Sequence, residues 1–106
     1  FRGARYIHVL VPCPLGWGHG SAETIKMARL AQETALFPVF EAEHGEVKNV
    51  SKLRRQLPVE DYLKPQSRFA HLFKPPGHAD LIARIQSLAD RNVQRFGLVG
   101  DAEDAQ

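Results

Sequence analysis

The sequence predicts an α/β fold, and three observations predict it. An apolar run at 6–11 ends abruptly at proline and glycine, a helical pattern follows over 22–35, and a second extended run occupies 37–43. Strand, helix and strand in succession make a βαβ-like unit, the repeating element of α/β sheets.

The first strand is expected over residues 5–11. Its β-branched and aliphatic residues leave no polar face, the pattern of a strand buried on both sides. Residues 12–20 then form a Gly- and Pro-rich loop. Ser21 is placed to cap a helix over 22–35, with Glu23 in the first turn where the helix dipole favours an acid. That helix shows little polar surface, because Ile25, Met27, Ala28, Leu30, Ala31 and Ala35 spread around it. The second strand covers 37–43, with Pro38 at its start or on an edge. His44-Gly45-Glu46 is a turn, and 47–50 returns as a short hairpin strand.

From 51 to 76 four prolines break the pattern into short pieces, with one helical turn or two over 59–63. Such a segment wraps over a neighbour and builds no core of its own. Residues 79–96 form the clearest helix, with Leu81, Ile82, Ile85, Leu88, Ala89, Val93 and Phe96 on one stripe and Gly97 as its stop. The acidic tail from Gly100 onward is expected to be disordered. The organisation is therefore 1–50 as the βαβ end of a larger domain, 51–78 as a wrapping segment, 79–97 as a helix and 98–106 as a tail.

Totals narrow the class. A chain of 106 residues accommodates one small domain. No apolar run approaches the roughly 20 residues needed to span a bilayer, so no membrane role is expected. One cysteine excludes an internal disulfide and fits a reducing, cytoplasmic setting. A net charge of +2 is too small to imply a polyanionic partner. The chain opens on Phe1 and enters a central-looking strand within a few residues. Such a strand needs neighbours on both sides, so the chain is expected to be the C-terminal piece of a larger subunit.

Cys13 heads the candidate functional residues. Flanked by Pro12 and Pro14, it is expected to be kept out of a sheet ladder and out of a helix start. Two readings stand side by side: a small buried hydrophobe, or a metal ligand or nucleophile on a stiff corner. Gly16, Gly18 and Gly20 let backbone N–H groups approach a sulfur-rich or phosphate-like anion, though their spacing is not the dinucleotide fingerprint. Trp17 is either a shield for a cofactor or a core anchor. Five scattered histidines lack zinc-ligand spacing. Glu41 and Glu43 share a strand face as an acid/base pair would, but surface carboxylates are the commoner case. Gly100-Asp101-Ala102 superficially matches a magnesium-diphosphate motif, with no element to hold it. Between Lys48 and Lys74 seven cations face only Glu60 and Asp61, a surplus that suits an acidic partner or a solvated face. Aromatic residues are not interleaved there for base stacking, which argues against nucleic acid.

Tyr6-Ile7-His8-Val9-Leu10 leading into Pro12-Cys13-Pro14-Leu15-Gly16-Trp17 resembles the C-terminal region of the β subunit of 2-oxoacid:ferredoxin oxidoreductases, the pyruvate synthase type. The resemblance continues through residues 24–34 and Phe37-Pro38-Val39-Phe40-Glu41. It extends into Pro58-Val59-Glu60-Asp61-Tyr62-Leu63-Lys64-Pro65-Gln66 and Arg68-Phe69, covering roughly 3–73. It implies the C-terminal part of a thiamine diphosphate-binding, Rossmann-like domain with a mostly parallel sheet. It also implies thiamine diphosphate with Mg²⁺, bound mainly by residues absent from this chain, and a 4Fe–4S cluster with Cys13 as its fourth ligand. Gly16, Trp17 and Gly18 would lie against the cofactor. The implied reaction is CoA-dependent oxidative decarboxylation of a 2-oxoacid, with electrons passed through 4Fe–4S clusters to ferredoxin. Partners would be an α subunit, with γ and δ subunits in some members. Neither the family's Gly-Asp-Gly…Asn diphosphate motif nor a Cys-x-x-Cys is present, so the piece alone should be inactive. Two alternatives are a non-catalytic docking module for an acidic electron carrier and the same enzyme type with NAD as final acceptor.

Overall fold

The computed structural model describes residues 2–100. Mixed helix and a small sheet fill them, compatible with an α/β class. Helix α1 spans Thr24–Glu33, β1 Phe40–Glu43, β2 Glu46–Val50, α2 Glu60–Leu63 and α3 Ala79–Phe96. One π-helical turn, Pro14–Gly18, and two 3₁₀ turns, Ser21–Glu23 and Ser67–Leu72, complete the regular structure.

The expected strand at 5–11 does not form. Residues 4–13 carry no regular structure, and Tyr6 and Ile7 are each 85% exposed, Val9 and Val11 each 68%. A strand exists only when its N–H and C=O groups pair with a neighbour. The only sheet among the described residues joins β1 to β2. No βαβ unit therefore forms here. Leu10, packed against the core, and His8, edge-on to the Phe37 ring at 5.1 Å, tie residues 5–11 down as an irregular strap.

Helix α1 starts later and stops earlier than its sequence pattern suggests. Ser21 opens a 3₁₀ turn and caps nothing with its own side chain; its carbonyl accepts from Thr24 Oγ1 at 2.8 Å. At the other end Thr34 Oγ1 donates to the Leu30 carbonyl at 2.6 Å, and Ala35 turns left-handed at φ 67°. The expected second strand shortens to Phe40–Glu43 and pairs antiparallel with Glu46–Val50, Phe40 opposite Val50 and Glu43 opposite Glu46. His44 and Gly45 have φ of 52° and 80°, the double positive φ that a tight hairpin turn requires.

The core gathers Met27, Leu30, Ala31 and Ala35 around α1, Val59, Tyr62 and Leu63 around α2, and Leu53, Leu72, Ala89 and Leu98. Helix α3 forms as expected over Ala79–Phe96. Gly97 at φ 59° donates its N–H to the Val93 carbonyl. Its stripe is narrower than the sequence suggests, since Leu88 is 53% exposed. Polar clips complete its docking: Asn92 Nδ2 donates to the Ala35 carbonyl at 2.8 Å, and Gln86 Oε1 accepts from the Val59 N–H at 3.0 Å. The 51–76 segment is thus not merely draped over a neighbour, because Leu53, Val59, Tyr62, Leu63, Gln66 and Leu72 are buried. Residues 101–106, expected to be a disordered tail and carrying most of the Gly100-Asp101-Ala102 match, lie outside the described residues.

Candidate functional site

Cys13 precedes a proline, and the clash with the Pro14 ring confines it to extended backbone, φ −127° and ψ 108°. Pro14 takes the first helical position, where a missing N–H costs nothing. The turn then runs to Gly18, closed by the Trp17 N–H to the Cys13 carbonyl at 2.8 Å and the His19 N–H to the Pro14 carbonyl at 3.2 Å. Cys13 therefore does open a helical turn, contrary to the expectation from its proline neighbours. It does so as the N-cap, the half-in position whose own dihedrals stay extended.

Within this chain the thiol is exposed. The Gly16 N–H donates to Cys13 Sγ at 3.3 Å. A Cβ on Gly16 would stand 3.4 Å from that sulfur, an ordinary van der Waals contact. An exposed, hydrogen-bonded sulfur on a fixed corner is the donor a thiophilic metal or iron–sulfur cluster takes. It needs further ligands. Among the described residues, no group of three or more His, Cys, Asp or Glu side chains can hold a metal ion.

The rest of the loop is fastened to the 3₁₀ turn at Ser67–Leu72. Gly18 has φ 76° and lies against Ser67, with no room for a Cβ. Trp17, half-buried, is edge-on to Tyr62 at 6.2 Å and to His19 at 6.1 Å. The Arg68 guanidinium lies over the Trp17 ring at 4.1 Å and over the Phe69 ring at 4.5 Å. Arg68 Nε donates to Gln66 Oε1 at 2.7 Å, and the buried Gln66 donates from Nε2 to the Tyr62 carbonyl at 2.6 Å. Ser67, Gln66 and Tyr62 were not among the sequence candidates, and Arg68 stood there only as one of the seven cations of 48–74, although residues 58–66 and Arg68-Phe69 carry part of the family resemblance.

Other candidates separate in space. Glu41 and Glu43 are exposed on the hairpin. The cations of 48–74 are dispersed: Lys48 pairs with Glu46 at 3.4 Å, Arg68 belongs to the aromatic stack, and Lys52, Arg54 and Arg55 line a hollow beside Arg29 and Glu33. His19 is buried, with Nδ1 2.8 Å from the Gly20 carbonyl and Nε2 without a hydrogen-bond partner among the described residues.

Comparison with known proteins bears out the family drawn from the Pro12–Trp17 loop. The chain is 46% identical over 96 residues to pyruvate synthase subunit PorB of Methanosarcina barkeri, covering 91% of this chain and 32% of that protein. PorB of Thermotoga maritima is 33% identical over 96 residues, 91% of this chain and 30% of its own length. Ketoisovalerate oxidoreductase subunit VorB of Pyrococcus abyssi is 42% identical over 74 residues, 68% of this chain and 24% of its own length. No protein-family model matches. The chain spans about a third of the length of the PorB relatives. Alignment at 33–46% identity over about nine-tenths of its length, together with the loop that first suggested it, places this chain in the β-subunit family of 2-oxoacid:ferredoxin oxidoreductases.

Proposed function

We propose that the chain is the C-terminal part of the β subunit of a pyruvate-type 2-oxoacid:ferredoxin oxidoreductase, with Cys13 as one thiolate ligand of a 4Fe–4S cluster. One observation carries the reading. The single cysteine of a chain related to pyruvate synthase B subunits sits exposed on a proline-fixed corner, with a backbone N–H donating to its sulfur. A corner already rigid loses little entropy when it takes up a ligand position. The remaining thiolates belong to the part of the subunit outside this chain.

Thiamine diphosphate with Mg²⁺, bound mainly by residues outside this chain, supplies the decarboxylation chemistry, while clusters carry electrons to ferredoxin and coenzyme A accepts the acyl group. This chain's share is positional. Cys13 would hold iron, the Gly16 N–H that donates to its sulfur would stabilise the thiolate, and Gly16, Trp17 and Gly18 would line the side facing the cofactor. The strap at 5–11 becomes a strand of the Rossmann-like, mostly parallel sheet once neighbours from the same subunit flank it. Its apolar side chains, exposed here, support that role. The chain alone is inactive, since it lacks the diphosphate motif and the other cluster cysteines. Lys48 and Arg68 are engaged away from the hollow that Lys52, Arg54 and Arg55 line, so the 48–74 cations do not form one continuous docking face. Among the described residues no helix is long and apolar enough to cross a membrane.

The test is Cys13→Ser in the complete complex, purified without oxygen. Loss or conversion of one cluster's EPR signal and slower acceptor reduction are expected. An unchanged spectrum with an unchanged iron count overturns the assignment.

A further inference from the structure

We infer that Arg68 is the positioning residue of the Cys13 loop, fixing the sulfur and its hydrogen bond by clamping Trp17. This deepens the cluster-ligand reading and rests on it. The loop has few fastenings of its own: it is one turn long, and its cysteine and Leu15 are exposed. What holds it comes from residues 62–69, about fifty positions away in the chain.

Arg68 is the centre of that hold. Its guanidinium carbon lies over both the Trp17 ring at 4.1 Å and the Phe69 ring at 4.5 Å. From the same group, Nε donates to Gln66 Oε1 at 2.7 Å and Nη2 to Tyr62 Oη at 3.2 Å. Gln66 is fully buried and bonds the Tyr62 carbonyl, while Tyr62 meets Trp17 edge-on. The guanidinium thus joins α2, the 3₁₀ turn and the cysteine loop. Only a planar, forked cation offers two faces for stacking and an edge for hydrogen bonds at once; a lysine ammonium has neither. Trp17 follows directly on Gly16, the donor to Cys13 Sγ. Losing the clamp frees Trp17, and the Gly16 N–H then spends less time on the sulfur. Hydrogen bonds to cluster sulfurs raise a cluster's potential, so a loosened loop shifts it negative.

The test uses the intact subunit in its complex, comparing wild type, Arg68→Ala, Arg68→Lys and Trp17→Phe. Peptide-level hydrogen exchange over 12–20 reads the loop, and an EPR-monitored redox titration reads the potential. Arg68→Ala should exchange roughly tenfold faster there, with iron retained and the potential shifted negative, the effect of removing contacts worth a few RT. Arg68→Lys should follow it despite keeping the charge, whereas Trp17→Phe should retain most of the protection. Wild-type exchange in either Arg68 variant overturns the inference. So does faster exchange with no change in potential, which would make the clamp purely structural. If Arg68→Ala does not fold, Arg68→Lys against Trp17→Phe decides. The two readings fail separately: Cys13→Ser with an unchanged spectrum removes the cluster assignment, whereas the exchange result judges the clamp.

Discussion

Gly18 and Ser67 share one space. With Gly18 at φ 76°, a Cβ there would overlap Ser67 Oγ and come within 2.9 Å of Ser67 Cβ. The cysteine loop therefore rests backbone-to-side-chain on the turn that carries Arg68. The contact joins residues about fifty positions apart, and its tightness leaves no room for a side chain on the last residue of the Pro14–Gly18 turn.

Gly18→Ala follows directly. Left-handed backbone costs alanine about 1–2 kcal/mol, and the overlap with Ser67 adds a further penalty of about 1–3 kcal/mol. Urea unfolding should show a loss of at least about 2 kcal/mol. Ser67→Gly introduced into Gly18→Ala should recover the steric part and leave the backbone part, so the pair should be non-additive. Additive losses would show that the two residues do not meet.

How much of this was legible in the sequence depends on how far each signal reaches along the chain. Helix α3 was, because a long apolar stripe and a terminal glycine are local and mutually consistent. The loop around Cys13 was also legible as a loop feature, since prolines and glycines around one cysteine are a local anomaly, although its place as the N-cap of a helical turn was not. The hairpin turn at His44-Gly45 likewise declared itself. The strap at 5–11 reads as a buried strand, yet its partners cannot be supplied by the one sheet among the described residues, which pairs β1 with β2. Propensity announces a strand, but only a neighbour makes one. Ser21 looked like a cap, yet the backbone chose a 3₁₀ entry. The Trp17–Arg68 stack had no local signature; its only hint was that both stretches resembled the same family.

The left-handed end of α3 separates backbone cost from packing. Gly97 has φ 59° with nothing within 4 Å of where a Cβ would stand. Gly97→Ala should cost about 1 kcal/mol through the backbone alone, and Gly97→Asn less, because asparagine tolerates this region. Denaturant midpoints of the two variants check the order. Equal losses would mean that αL preference is not what glycine contributes here.

Leu98 tests the junction between the chain's end and its middle. Its side chain is 1% exposed, and its carbonyl accepts the Leu53 N–H at 2.7 Å beside the Leu53–Val99 bridge. Leu98→Ala keeps the hydrogen bond and removes buried methyl groups, at a cost of about 2–5 kcal/mol. Thermal unfolding should fall accordingly, whereas Leu88→Ala, half-exposed on α3, should change stability by about 1 kcal/mol or less. Similar losses at both sites would contradict the core described above.

The strap gives the sharpest contrast between this chain and the subunit to which we assign it. Ile7 and Val9 are exposed here, 85% and 68%, so a charge at either place meets water. Ile7→Asp and Val9→Asp should leave the chain's own unfolding free energy within about 0.5 kcal/mol and reduce its tendency to self-associate through an unpaired apolar edge. Inside the complete subunit the same aspartates would be buried between neighbouring strands, where an unpaired carboxylate is costly. Expression of the full-length variants should then yield aggregated or cluster-deficient protein, as read by soluble yield and iron content. Well-folded, iron-replete full-length protein carrying both aspartates would show that the strap stays on the surface, and the central-strand reading would fall with it.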